Sequence, residues 1–239
     1  MNWNVVFDNL ALFLWGDGTR TTGLLLTVEL FITSLGLGLV MAIPLSLLRV
    51  SSNPLLRTPV WLFTYLFRGT PLLVQIYIIY FGLAEIGCIR TSWAWTYLRE
   101  AYICAWLAIG LNTAAYTIEI LAGCIQKTFH GEIEAARAMG MSRWTQMRHI
   151  ILPGAMRRAI PAYSNEVVLT LHCTALASSI TLLDLAGVGR SISMRYASPY
   201  EAYIAALLLY AVFTALLFLL FRLAEGKWLA YLRPRSTHP

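Results

Sequence analysis

Five stretches of the chain are almost wholly apolar for about twenty residues, the length a helix needs to cross a hydrocarbon layer of roughly 30 Å. They run from Gly23 to Leu48, from about Pro59 to Phe81, from Ala101 to Ile125, from about Arg158 to Ile180 and from Glu201 to Phe221. The pattern predicts an all-α integral membrane protein with five transmembrane helices in a single membrane domain, residues 23–225. In the preceding segment, residues 1–22, the positions of Trp3, Val5, Val6, Phe7, Leu10, Leu12, Phe13 and Trp15 predict a stretch lying along the membrane interface, where tryptophan favours the headgroup level. Residues 226–239 are expected to form a cytoplasmic tail.

The alternation changes between the third and fourth spans, in a charged loop covering residues 130–156. Glu132, Glu134 and Arg137 alternate with Ile133, Ala135, Ala136, Ala138 and Met139 at helical spacing, giving one charged face and one of small side chains. Gly140 suits the left-handed conformation that stops a helix, and Ser142 suits the cap of a second one running through Trp144, Met147 and Ile150 and ending at Pro153. Small side chains permit close backbone approach while flanking charges fix orientation, so the loop predicts docking into a partner's groove.

Composition removes the soluble alternatives. The chain is 58% hydrophobic and 13% charged, against about 25% charged in soluble domains. Its net charge of +6 is a topology signal. Twelve Lys and Arg residues fall in the first and third inter-span loops and the carboxyl-terminal region, including Arg233 and Arg235, against five on the opposite side. Positive residues collect in the cytoplasm, so the amino terminus is expected outside and the carboxyl terminus inside. Charges dispersed in this way do not build a nucleic-acid surface. Residues 1–22 lack the basic leader of a secretory signal, and Cys88, Cys104, Cys124 and Cys173 form no Cys-x-x-Cys pair, so they read as small hydrophobes.

Ionisable residues inside spans are costly, about 2.5–3.5 kcal/mol each on insertion scales, and ordinarily face a bundle interior or a wet pathway. Four candidates stand out here: Arg68, Glu119, Glu166 and His172. The expected solute pathway comprises Asn112, Thr117, Glu119, Asn165, Glu166, Thr170, His172 and Thr174. Glu166 and Thr170 share a face at i,i+4, continued one turn later by Cys173 or Thr174. Two roles stand open for Glu166: contact with solute, or a structural pairing with Arg68 or with another subunit. Glu119 lies near the cytoplasmic end of its span and reads as structural, either hydrated or in contact with Lys127; Arg68 reads as structural too. The four histidines are dispersed, with no His-Glu-x-x-His, no Gly-x-Ser-x-Gly and no phosphate-cradling glycine loop, so no catalytic or metal site is predicted.

The spacing Glu134-Ala135-Ala136, Gly140, Ile150-Ile151-Leu152-Pro153 resembles the coupling motif of permease subunits of ATP-binding-cassette importers. The stretches Phe67-Arg68-Gly69-Thr70-Pro71-Leu72-Leu73-Val74-Gln75, Asn112-Thr113-Ala114-Ala115-Tyr116 and Pro161-Ala162-Tyr163-Ser164-Asn165-Glu166-Val167 extend the likeness to the polar amino acid permeases, above all the M-type permeases of basic amino acid importers. The resemblance implies a methionine-permease-like, type I importer fold in the bacterial inner membrane. Glu134, Ala135, Ala136, Arg137, Gly140 and Pro153 would then couple to the ATPase. The implied partners are a second permease subunit, two ATP-binding subunits and a periplasmic solute-binding protein. ATP and Mg would be bound by the partner subunits, with no cofactor in this chain. The implied function is import of histidine, arginine, lysine and ornithine. An opine importer and, in a different class, a membrane docking subunit that moves no solute are the alternatives. Many relatives carry Lys-Asp-Thr-Ser-Leu where this chain has His172-Cys173-Thr174-Ala175-Leu176; a neutral His172 on the pathway would lessen repulsion of a cationic solute.

Overall fold

A computed structural model describes residues 3–228 apart from Asp17 and Thr19, so within the tail at 226–239 the stretch 229–239, with Arg233 and Arg235, lies outside the described residues. In chain order the helices are α1 (Asn4–Asp8), α2 (Leu10–Leu14), α3 (Gly23–Arg49), α4 (Pro54–Gly69), α5 (Leu72–Tyr77), α6 (Leu83–Glu85), α7 (Gly87–Arg90), α8 (Trp95–Leu98), α9 (Ala101–Gln126), α10 (His130–Ala138), α11 (Arg143–Gln146), α12 (Leu152–Cys173), α13 (Leu185–Tyr196) and α14 (Pro199–Trp228). Wider π turns at Ile78–Gly82 and Met147–Ile151 join α5 to α6 and α11 to α12, and a 3₁₀ segment, Thr174–Ile180, prolongs α12.

Among the described residues three helices, α3, α9 and α14, are long and apolar enough to cross a membrane, and α9 packs against α3, α4, α5 and α12. In their most apolar windows 61% of α9 is buried, against 33% of α3 and 6% of α14, whose outward Leu207, Val212, Leu216 and Leu220 suit lipid. The close approach of α3 to α9 rests on small residues: Ser34, Gly38 and Ala42 on one helix, Ala105, Gly110 and Ala114 on the other, all buried. A methyl on Gly110 would stand 2.6 Å from Leu37 Cδ2, and one on Gly38 2.9 Å from Thr113 Cγ2. Gly110→Val is therefore expected to destabilise the bundle by about 2 kcal/mol, an overpacking cost, and to lower the thermal midpoint of the detergent-solubilised protein. Gly36, beside which nothing lies within 4 Å, is the control: Gly36→Ala leaves the midpoint unchanged or raises it.

The second apolar run departs from the expected continuous span. It is broken into α4 and the stretch Leu72–Glu85, which meet at 104°. The cause is local: Pro71 offers no N–H to the helix, and the residue before a proline is driven out of the helical region, so Thr70 is extended at φ −117°, ψ 146°. The fourth run also differs. Helix α12 carries Arg157, Arg158, Asn165, Glu166 and His172 and is not among the helices apolar enough to cross by composition.

Polar contacts pin both ends of the bundle. At one end Arg49 Nε of α3 donates to Glu119 Oε1 of α9 at 2.7 Å, and Thr64 of α4 donates to the same oxygen at 2.7 Å. The partner of Glu119 is thus Arg49 in place of the expected Lys127, a pairing 70 residues apart in sequence. At the other end the Gly23 N–H bonds the Leu183 carbonyl at 2.8 Å, and the Leu185 N–H bonds Thr27 Oγ1 at 3.0 Å. Asp184, fully buried, caps α13 by accepting from the Ala186 and Gly187 amides, and also accepts from the Tyr210 hydroxyl at 3.2 Å. In the amino-terminal segment Val6 and Phe13 are buried in a cluster with Leu185, Val188, Ile192 and Ala205, while Trp3, Phe7 and Trp15 stay exposed.

Candidate functional site

The break between α4 and α5 opens a cavity of about 460 Å³, within the usual range for small-molecule sites. Its walls are the turn Gly69-Thr70-Pro71, Asn112, Thr113 and Tyr116 of α9, and Glu166, Leu169, Thr170 and Cys173 of α12. The rows are those that helix geometry brings together: 112, 113 and 116 on one helix, 166, 169, 170 and 173 on the other. Arg68, at the end of α4, sets its guanidinium 5.1 Å from the centre of the Tyr116 ring, a cation–π contact. Glu166 is buried, 7% exposed, and faces the same cavity. Among the described residues these two opposite charges do not close into an ion pair with each other. The Thr113 and Thr170 hydroxyls, 2.9 Å apart, join α9 to α12 behind them.

Of the residues expected to line the pathway, Asn112, Glu166 and Thr170 meet here, and Cys173, not Thr174, continues the Glu166–Thr170 face. The others lie elsewhere. Thr117 is buried within the helix packing, Glu119 is held by Arg49 and Thr64, and Asn165 is on the exposed side of α12. Thr174 is buried and donates to the Leu171 carbonyl at 2.7 Å. His172 turns toward α14: its Nε2 is 3.1 Å from Thr214 Oγ1, its ring meets Tyr210 edge-on, and it lines a separate, mostly apolar groove with Tyr203 and Phe218. The effect expected of a neutral His172 on a solute beside Glu166 therefore lacks its geometric premise. Arg68, read as structural, is instead a cavity residue. The sign available in the sequence was its place immediately before Gly69-Thr70-Pro71, where a helix must stop.

The loop between α9 and α12 takes the two-helix form its pattern predicts. Helix α10 exposes Glu132, Glu134, Ala135, Arg137 and Ala138 and buries Ala136. It ends in a Schellman arrangement: Gly140 has φ +75°, its N–H bonds the Arg137 carbonyl at 2.9 Å, and the Met141 N–H bonds the Ala136 carbonyl at 3.1 Å. Ser142 caps α11 by accepting from the Thr145 N–H at 3.2 Å. Pro153 does not end this second helix as expected. The chain passes through the π turn at Met147–Ile151 into α12, and Pro153 sits in the first turn of α12, directly after that π turn. Phe129, Met139 and Trp144 stand exposed around the loop.

Comparison with known proteins accords with this architecture. Residues 34–229 match the family described as binding-protein-dependent transport system inner membrane component. The chain is 47% identical over 226 residues to the histidine/lysine/arginine/ornithine transport system permease protein of Escherichia coli K12, covering 94% of this chain and 95% of that one. It is 43% identical over 227 residues to an octopine transport system permease protein of Rhizobium meliloti, covering 95% and 92%. Among solved structures, an amino acid ABC transporter crystallised with histidines superposes with a TM-score of 0.82 at 29% identity, over 95% of this chain and 99% of that one. A methionine ABC transporter shares the fold, with a TM-score of 0.71 at 18% identity, over 84% and 92%. The chain belongs to the family of binding-protein-dependent transport system inner membrane components, the membrane-embedded permeases of ABC importers that leave ATP hydrolysis to a separate subunit.

Proposed function

We propose that the chain is one permease of an importer for basic amino acids, and that the cavity at the α4–α5 break is where the solute passes. The observation that carries this reading is the pair of opposite charges, Arg68 and Glu166, facing one cavity without closing into an ion pair. An amino acid presents a carboxylate and one or more ammonium or guanidinium groups, which complement that pair; a bidentate guanidinium–carboxylate contact is the natural role for Arg68. The 47% identity to a basic amino acid permease, against 43% and 42% to octopine permeases, favours the first solute class over the second. A docking subunit that moves no solute would have no use for such a cavity.

In this reading α12 is a fifth crossing, made with α3, the broken α4–α5 pair, α9 and α14, and its exposed polar side is covered by a second permease. The amino terminus faces the periplasm and the carboxyl terminus the cytoplasm, consistent with the twelve-to-five division of basic residues. A periplasmic binding protein delivers the solute, and two ATP-binding subunits, which hold ATP and Mg²⁺, receive Glu134, Ala135, Ala136 and Arg137 of α10. Co-purifying the permease with its partner subunits and binding protein, and measuring ATPase stimulation by a panel of amino acids and opines, tests the assignment. Stimulation by arginine, lysine, histidine and ornithine is expected; stimulation by octopine with none by those four would overturn it.

A further inference from the structure

Gln75, to which the sequence pattern gives no role, is 7% exposed and directs its side chain back into the α4–α5 break. There the Phe67 carbonyl lacks its helical partner, because the residue four positions on is Pro71, which has no N–H. Two side-chain amides from different helices replace it: Gln75 Nε2 of α5 donates at 2.8 Å and Asn112 Nδ2 of α9 at 2.9 Å. Gln75 Nε2 also lies 3.1 Å from the Thr70 carbonyl and 2.8 Å from Thr70 Oγ1, so its two N–H groups are shared among three acceptors. The two amides are joined to each other, with Asn112 Nδ2 donating to Gln75 Oε1 at 3.2 Å. Both N–H groups of Asn112 are thereby committed to protein acceptors, so it has none to give a solute.

We infer that Gln75 and Asn112 are positioning residues, an amide bridge that fixes the angle of the helix break and with it the direction of Arg68, the residue next to Phe67. This rests on the cavity being the solute site. Without the bridge the Phe67 carbonyl is left unpaired, the chain at residues 67–70 regains its freedom, and the guanidinium is no longer held opposite Glu166. The bridge acts on solute affinity through Arg68, and Asn112 has no N–H left to offer the solute.

Cys173, a native thiol in the cavity wall, supplies the readout. In the assembled transporter, alkylation of Cys173 by a small water-soluble thiol reagent, followed by peptide mass spectrometry, is measured over a range of arginine concentrations. In the wild type arginine slows the reaction. In Gln75→Leu and in Asn112→Leu the arginine concentration that halves the rate is expected to rise about tenfold, the effect of roughly one buried hydrogen-bond group. The double variant is expected to shift it no further than the worse single one, because the pair acts as a unit. If the leucine variants do not assemble with the ATP-binding subunits, Gln75→Glu is read in the same way: it keeps an acceptor for Asn112 and loses the two amide N–H groups. A merely structural role would lower the melting temperature and leave the protecting concentration where it was. Unshifted protection in the variants, with protection present in the wild type, overturns the bridge while the cavity assignment stands. Absence of protection in the wild type overturns the cavity assignment and the bridge with it.

Discussion

Arginine uptake into vesicles carrying the assembled transporter is expected to fall by about 30-fold or more when Glu166 is replaced by Gln, a loss of about 2 kcal/mol or more in solute binding. The side chain is nearly the same size and the position lies within the α9–α12 contact, so packing survives. What goes is the negative charge in a cavity whose other charge is the guanidinium of Arg68. A cationic side chain would then meet a neutral amide and an uncompensated Arg68, in surroundings that screen far less than water. The loss should be steepest for arginine and lysine and smaller for histidine, which is largely neutral near pH 7. Glu119→Gln makes the contrast. Its carboxylate is occupied by Arg49 and Thr64 away from the cavity, so the expected result is a lower melting temperature with the order of solute preference retained. Unchanged arginine uptake in Glu166→Gln, with co-purification of the ATP-binding subunits intact, would remove Glu166 from the solute path.

That contrast shows where the sequence could and could not be read. Helices α3, α9 and α14 are legible because their apolar runs are unbroken and their length matches a bilayer. The 104° break is not registered by a count of apolar residues, which stays high through Leu72 and Leu73, although Gly69-Thr70-Pro71 carries the stereochemical reason for it. Along one helix the periodicity gives angles well: Glu166, Thr170 and Cys173 fall together, while His172, six positions on, lies about 240° round from Glu166. It cannot say which neighbour each face meets: the pattern puts His172 on the pathway, and the structure packs it against Thr214 and Tyr210. Long-range pairs are equally invisible. Nothing near Glu119 in sequence points to Arg49, its partner 70 residues away, whereas Lys127 is only eight positions off. The loop at 130–156 was the most legible part because its determinants are local: a glycine at φ +75° and a serine cap leave little to tertiary context.

Because those determinants are local, the loop can be altered without disturbing the membrane helices, which makes coupling separable from folding. Glu134 is exposed, so Glu134→Lys should leave the fold of the spans intact and reverse a charge at the surface proposed to meet the ATP-binding subunit. Like charges brought together at a docked interface cost several kcal/mol, and binding-protein-stimulated ATPase activity should fall by about tenfold or more. Gly140→Asp acts by a different route and more mildly. Nothing lies within 4 Å of where its side chain would begin, and aspartate tolerates the left-handed conformation better than most residues. The strain is therefore on the order of 1 kcal/mol, joined by an unfavourable negative charge at the carboxyl end of α10. Both effects loosen the Schellman turn that sets the direction of α10 relative to α11. The checks are co-purification with the ATP-binding subunits and ATPase stimulation by the loaded binding protein, with circular dichroism confirming that helix content is kept. Normal stimulation in both variants would mean that the ATPase docks elsewhere on the chain; loss in Glu134→Lys with a smaller loss in Gly140→Asp is the signature of a helix whose charge makes the contact and whose glycine aims it.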